Sequence, residues 1–245
     1  MRILVTGGSR GIGHAISNTF LSFGHSVAIN GRNEANLTGG SLQNSKTYFI
    51  SGDITDEEVA KSVVERSVNE LGGLDAIICN VGSGSSVEPG SENYAEWQRM
   101  FDKNFFSSTN IIEAGTKYLQ ESKGSVVCIS SICGCEIVSQ APITYSVAKA
   151  ALNAYVKGIS RPLGELGIRI NAVAPGNVLF QGSVWEQKIK ENKKKVDKML
   201  IDEVPLQRLG TTQEVADLVA WLVSPAASFM TGAILVSDGG QTRSL

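Results

Sequence analysis

Short apolar runs alternate with longer helical patterns along the whole chain, and this rhythm constrains the fold more than any other feature. The runs 2–6, 26–30, 47–50, 74–80, 125–130, 168–173 and 233–236 are brief, rich in Val, Ile and Leu, and bounded by Gly, Ser, Asn or Asp, which predicts strands. They are apolar at successive positions, so both faces are expected to be buried, as in a parallel sheet covered by helices on each side. Helical patterns fall at 13–23, 56–71, roughly 94–119, 144–158 and 211–223. Asp56 with Glu57 and Glu58 supplies a cap and acids where a helix dipole favours them, and Thr212-Gln213-Glu214 does much the same. Seven strands in a βαβ rhythm without a Pro-, Gly- or Ser-rich linker predict one doubly wound α/β domain over residues 1–245.

Composition excludes several other classes. With 42% hydrophobic residues among 245 there is ample material for a core, and the glycines show no three-residue period. The 22 Lys+Arg against 24 Asp+Glu give no electrostatic case for nucleic acid as the main partner. A strand begins at Arg2, leaving no room for a secretory signal, and no apolar run approaches the length of a membrane span. A cytoplasmic protein is expected. Cys79 and Cys128 lie in apolar runs, while Cys133-Gly134-Cys135 lacks the spacing of zinc or redox pairs; with His14 and His25 as the only histidines, no metal site is expected.

Directly after the first run comes Thr6-Gly7-Gly8-Ser9-Arg10-Gly11-Ile12-Gly13. Glycines at a strand-to-helix turn let the backbone approach a pyrophosphate, which then sits on free helix N–H groups. The spacing Gly-x3-Gly-x-Gly differs from the Gly-x-Gly-x-x-Gly dinucleotide fingerprint. Further on, Tyr145 and Lys149 stand four apart in a helical pattern, which places them on one face. Lowering a phenol pKa from about 10 towards 7 requires roughly 4 kcal/mol. A cation about 5 Å away at an effective dielectric near 20 supplies roughly 3 kcal/mol, so Lys149 is expected to activate Tyr145 as an acid or base.

These motifs together resemble the short-chain dehydrogenase/reductase family, over essentially the whole chain. The resemblance rests on the Thr6 to Gly13 loop, Asp53, Asn80-Val81-Gly82, Asn104, Ser131, the Tyr145-x3-Lys149 pair, Pro175-Gly176 and Asp238-Gly239-Gly240. It implies a Rossmann-type fold and hydride transfer between a nicotinamide and a carbonyl or secondary alcohol. The implied catalytic residues are Asn104, Ser131, Tyr145 and Lys149. The implied cofactor residues are Gly7, Ser9, Arg10, Gly11, Ile12, Gly13, Arg32, Asp53, Ile54, Asn80, Gly82, Tyr145, Lys149, Pro175, Gly176 and Val178. An acid at the end of the second strand would bind a ribose 2′-hydroxyl, but the chain reads Asn30-Gly31-Arg32 there. Arg10 and Arg32 instead offer two cations to a 2′-phosphate, so NADP(H) is expected over NAD(H).

The substrate pocket is expected to involve Ser83, Ser131, Cys133, Gln140, Tyr145, Phe180 and Trp185, with Ser85 and Glu136 as further polar groups. After Gly176 the chain reads Asn177-Val178-Leu179-Phe180, departing from the threonine usual in the family. The stretch 177–205 reads as a substrate lid, and its six lysines within 185–200 could face an acidic acyl carrier or form a solvated helix. Three functions are thus expected in order: a 3-oxoacyl-acyl-carrier-protein reductase, a sugar or polyol dehydrogenase, and a non-catalytic NADP-sensing regulator. Against the first, Ser125 and Leu166 stand where carrier-docking basic residues are expected. The resemblance also implies a homotetramer, with no nucleic-acid or membrane partner.

Overall fold

In the computed structural model, which describes residues 1–33, 46–139 and 141–243, seven parallel strands form one sheet. They are β1 (Arg2–Thr6), β2 (Ser26–Gly31), β3 (Thr47–Ser51), β4 (Ala76–Cys79), β5 (Ser125–Ile129), β6 (Arg169–Pro175) and, last in sequence, β9 (Ile234–Ser237). A separate pair, β7 (Val178–Leu179) and β8 (Gly210–Thr211), was not foreseen from sequence. The sheet order is β3-β2-β1-β4-β5-β6-β9. The chain builds outward from β1 through β2 and β3, then crosses back to β4 on the other side of β1. A crevice therefore opens above the C-terminal ends of β1 and β4, the place where doubly wound sheets take ligands.

Alternation along each strand explains the continuous apolar runs. Ile3, Val5, Val27 and Ile29 enter one core cluster with α1 (Gly11–Ser22) and α7 (Thr212–Val223). Leu4, Ala28, Ile77 and Val126 enter the other, with α2 (Glu57–Leu71), α4 (Ser107–Ser122) and α5 (Ile143–Glu165). Both faces are dry, and each fully buried aliphatic contributes about 1.5–3 kcal/mol.

The helices follow the expected patterns with three differences. The stretch expected over 94–119 is α3 (Tyr94–Phe101), a π turn (Asp102–Phe106) and then α4. The helix expected over 144–158 continues as α5 to Glu165 in spite of Pro162. The cap of α7 is Thr211, whose side chain accepts from Glu214 N in a reciprocal capping box. Elsewhere Asp56 caps α2 and Asn93 caps α3, each accepting from the N–H three residues on. No helix among the described residues is long and apolar enough to cross a membrane.

The turn from β1 into α1 is fixed by contact. A Cβ at Gly13 would collide with the carbonyl oxygen of Gly7 and the side-chain amide of Asn80. Both are held in place, since Asn80 Nδ2 donates to the carbonyls of Thr6 and Gly7 at 3.1 Å each. Gly13→Ala is therefore expected to cost about 1–3 kcal/mol, read as a lower urea midpoint with unchanged m-value. An unchanged midpoint would contradict this packing.

Candidate active site

The first turn of α1 is bare. Its N-cap, Arg10, makes no side-chain cap, and no acid lies in the first turn, so its leading N–H groups are left for an anion. The turn is braced from β4: Asn80 N donates to Thr6 Oγ1 at 3.0 Å, and Thr6 Oγ1 donates to Ile78 O at 3.2 Å. Phe180, expected from sequence in the substrate pocket, has its ring against Gly11, with ring carbons 2.7–3.0 Å from where a Cβ would stand. The aromatic ring also packs against the core cluster that holds α1 and α7 to the sheet.

At the end of β2, Asn30 is 1% exposed and turns inward, donating to Ile50 O and Gly52 O at 3.1 Å each. No carboxylate occupies this position, and Arg10 and Arg32 are both exposed, with no ion pair among the described residues. Asp53 accepts from Thr55 N and Oγ1 at 3.3 and 2.9 Å, and Ile54 is buried in the core. Asn110 of α4 donates to the carbonyls of Ile54 and Thr55, so this loop is held from below. A bare helix turn, a glycine cradle and two exposed cations on one rim fit a phosphorylated dinucleotide.

Four side chains meet at the ends of β4 and β5. Lys149 projects from α5 and donates from Nζ to Ile129 O at 2.8 Å, with only 3% of its surface exposed. Asn104 sits in the π turn, fully buried; Oδ1 accepts from Ser83 N at 2.9 Å and Nδ2 donates to Ser83 O at 3.2 Å and Met100 O at 3.0 Å. A Cβ at Gly82 would lie 2.9 Å from Asn104 Oδ1 and 3.2 Å from Lys149 Nζ, so both groups converge there, within a span that one water can bridge. Ser130 and Ser131 are told apart by their bonds. Ser130 donates to Asn153 Oδ1 at 2.6 Å, whereas Ser131 accepts from Cys133 N at 3.2 Å and hydrogen-bonds to Tyr145.

Burial dominates the electrostatics. It pushes the half-buried Tyr145 phenol up to about 12 against the opposing hydrogen bond from Ser131, with Cys133 adding to the rise. It pulls Lys149 down to about 8. The sequence assigns most of the lowering of the Tyr145 pKa to Lys149 and the rest to the oxidised nicotinamide; in the chain without cofactor, burial dominates both groups and keeps the phenol protonated.

A family profile described as enoyl-(acyl carrier protein) reductase matches residues 7–242. The chain is 33% identical over 246 residues to isoepoxydon dehydrogenase of Penicillium expansum, covering 97% of this chain and 93% of that protein. It is 31% identical to a 3-oxoacyl-[acyl-carrier-protein] reductase of Chlamydia muridarum over 97% and 95% of the two. The chain is a short-chain dehydrogenase/reductase. Its fold matches that of L-sorbose reductase from Gluconobacter frateurii, solved with NADPH and L-sorbose, at TM-score 0.91 and 23% identity over 99% and 97% of the two chains.

The far wall of this dehydrogenase's crevice is built from its last strands. Gly176 packs so tightly on Asp238 that a Cβ would overlap it, and Asp238 in turn accepts from the N–H groups of Gly240 and Thr242 at 2.9 and 2.7 Å. Pro175 closes β6, and Val178 is buried in β7. The C-terminal segment then crosses the site: Asn177 Nδ2 donates to Gln241 Oε1 at 2.8 Å, and Arg243 N donates to Glu136 Oε2 at 3.0 Å. Cys133 is half-buried beside Ser131, and the Ser83 hydroxyl accepts from Ser85 N. Gln140 lies outside the described residues. The stretch beyond β7 forms α6 (Val184–Glu203), broken at Asn192, whose side chain caps the second half by accepting from Lys195 N. Trp185 and Ile189 pack against buried Val196, Leu200 and Val204, with Lys188 Nζ 4.6 Å from the Trp185 ring centre.

The sequence reading missed a polar chain joining α3 to α5. Arg99 pairs with Glu96 at 2.6 Å, Ser86 donates to Glu96 Oε1 at 2.5 Å, and Ser86 and Thr144 hydroxyls meet at 2.6 Å. The only trace in the sequence is the Glu96-x-x-Arg99 spacing of a helical ion pair.

Because burial disfavours its charge, Lys149 weakens the fold while it is protonated in both states. Its folded pKa of about 8 lies below its ordinary 10.5, so the wild type gains stability as pH rises between those values. Lys149→Met is expected to raise Tm by a few degrees below pH 8, with the gain shrinking towards pH 10.5. A loss of Tm that does not vary with pH would contradict a buried ammonium.

Proposed function

We propose that this protein is an NADP(H)-dependent oxidoreductase that interconverts a small polyoxygenated carbonyl compound and its secondary alcohol. The observation that carries it is the gathering of Lys149 and Asn104 at Gly82 with the Tyr145 ring beside Gly84, next to Ser131 at the end of β5. When bound, NADP(H) supplies or accepts the hydride. Arg10 and Arg32 would hold its 2′-phosphate, the first turn of α1 its pyrophosphate, and Asp53, Asn80 and Gly82 the adenine and ribose side. The backbone of Pro175, Gly176 and Val178 would face the nicotinamide end.

In the reducing direction Ser131 orients the substrate oxygen through its hydroxyl, and the Tyr145 phenol gives its proton to that oxygen as the carbon gains the hydride. Lys149 stabilises the phenolate left behind. Asn104 and Lys149 then return a proton from solvent through the space over Gly82. In the oxidising direction Tyr145 must first be deprotonated.

The acyl-carrier reading loses support at α6. Three of its lysines are paired with acids one turn away, Lys190 with Glu186, Lys193 with Asp197 and Lys198 with Asp202, and Lys188 covers Trp185. Ser83, Cys133 and Glu136 make the pocket polar, which suits a hydroxylated ring or sugar. The names of the Penicillium and Gluconobacter relatives point the same way, while the Chlamydia relative keeps 3-oxoacyl thioesters as the second reading. The stretch 177–205 would act as a lid, and exposed Trp221, Phe229 and Val236 near the last strand support assembly into a homotetramer.

A panel of diacetyl, acetoacetyl-CoA, D-glucose and L-sorbose with both nicotinamides tests the substrate class. Tyr145→Phe is expected to lower kcat by about 10²–10⁴-fold with NADPH binding within threefold. Arg32→Ala is expected to weaken NADPH about tenfold and leave NADH unchanged. Retention of more than a tenth of the rate in Tyr145→Phe, or preference for NADH in the wild type, would contradict the proposal. Since Tyr145 is held protonated well above neutrality, carbonyl reduction should be flat from pH 6 to 8 and alcohol oxidation should rise with pH; oxidation fastest in acid would contradict the assignment.

A further inference from the structure

We propose that Glu96, acting through Ser86 and Thr144, is a positioning residue for the Tyr145 hydroxyl. This rests on the reading of Tyr145 as the acid–base group.

The polar chain has one direction. An ionised carboxylate accepts only, so the single hydroxyl proton of Ser86 goes to Glu96 Oε1 at 2.5 Å. Ser86 Oγ must then accept from Thr144, 2.6 Å away. Thr144 is fully buried and immediately precedes Tyr145 in the first turn of α5. A buried hydroxyl without its acceptor costs about 1–3 kcal/mol, so the start of α5 is tied to the position of Ser86. Arg99 completes the arrangement with a two-pronged grip on Glu96, Nε to Oε2 at 2.7 Å and Nη2 to Oε1 at 2.6 Å, and it also donates to Ser85 O at 2.9 Å.

The same segment touches the phenol. A Cβ at Gly84 would lie 3.8 Å from the Tyr145 ring, and Asn104 grips Ser83 by both its N–H and its C=O. Residues 83–87 are thus held at one end by Asn104 and at the other by Glu96 and Arg99, with the Tyr145 ring alongside. An ordinary surface pair on α3 would need neither Ser86 nor Thr144. The Glu96 side chain is 12% exposed while its partner Arg99 is 44% exposed, which places the carboxylate on the inner side of the pair. Arg99 first, then Ser86, hold Glu96 ionised down to about pH 2, so the chain persists throughout the working range.

Burial raises the phenol's pKa most; among neighbouring groups, the Ser131 hydrogen bond favours ionisation and Cys133 opposes it, and Lys149 stands one turn further along α5. A loosened α5 start would lengthen the Ser131 bond. Thr144→Val removes the hydroxyl at constant shape, Thr144→Ser retains it, and Ser86→Ala breaks the chain at a less buried position. In each background, Tyr145 ionisation is read as the tyrosinate absorbance difference from the matching Tyr145→Phe protein, in complex with NADP⁺. Thr144→Val and Ser86→Ala are expected to raise the Tyr145 midpoint by at least about half a unit through loss of the Ser131 bond. They should also lower kcat about tenfold with NADPH affinity within twofold, while Thr144→Ser behaves as wild type. Wild-type midpoints in both disrupting variants, or an equal shift in Thr144→Ser, would overturn the proposal; if Thr144→Val does not fold, Ser86→Ala decides. Turnover that survives Tyr145→Phe would instead overturn the catalytic reading, while the tyrosinate midpoint still reports on the clamp.

Discussion

The ammonium of Lys149 is buried at the C-terminal end of β5, an interior strand of the sheet, with the carbonyl of Ile129 as its anchor. Much of the surrounding architecture is explained by that one placement. A cation in such a position is tolerated because α5 crosses directly behind the end of β5, and a Cβ at Gly134 would collide with the Lys149 backbone. The same closeness brings Ser131 to Tyr145. The site therefore stores the cost of a desolvated charge in the packing of β5, the turn after it and the helix that follows.

Three asparagines hold the crevice by bonding to backbone. Asn80 locks β4 to the glycine turn, Asn30 locks β2 to β3, and Asn104 locks the segment after β4 to the π turn. Asparagine amides offer a donor and an acceptor without charge, so they satisfy loop backbone at the mouth of a dry sheet. The chemistry-bearing groups stay fixed while the rim, with Arg10 and Arg32, remains open to an anion.

The seven strands were legible because Ile, Val and Leu at successive positions serve both faces, as Leu4 between Ile3 and Val5 shows. Ser131, Tyr145 and Lys149 were legible through spacing and resemblance. Three features were not. The π turn at Asp102–Phe106 has no marker in residue type, although it aims Asn104 inward. The Glu96 chain joins residues 10 and 58 positions apart, beyond any local pattern. The contact of the Phe180 ring with Gly11 joins distant parts of the chain, so no local pattern marks it. For Lys149 and Tyr145 the sequence provides the separation but not the burial, which dominates both groups in the chain without cofactor.

The burial of Lys149 is tested most directly by its protonation. An NMR titration of its ε-carbon, identified by the signal lost in Lys149→Met, should show a midpoint near 8 in the chain without cofactor. A midpoint at the ordinary lysine value of 10.5 would mean that the ammonium is solvated, and would contradict the buried cation on which the site is built.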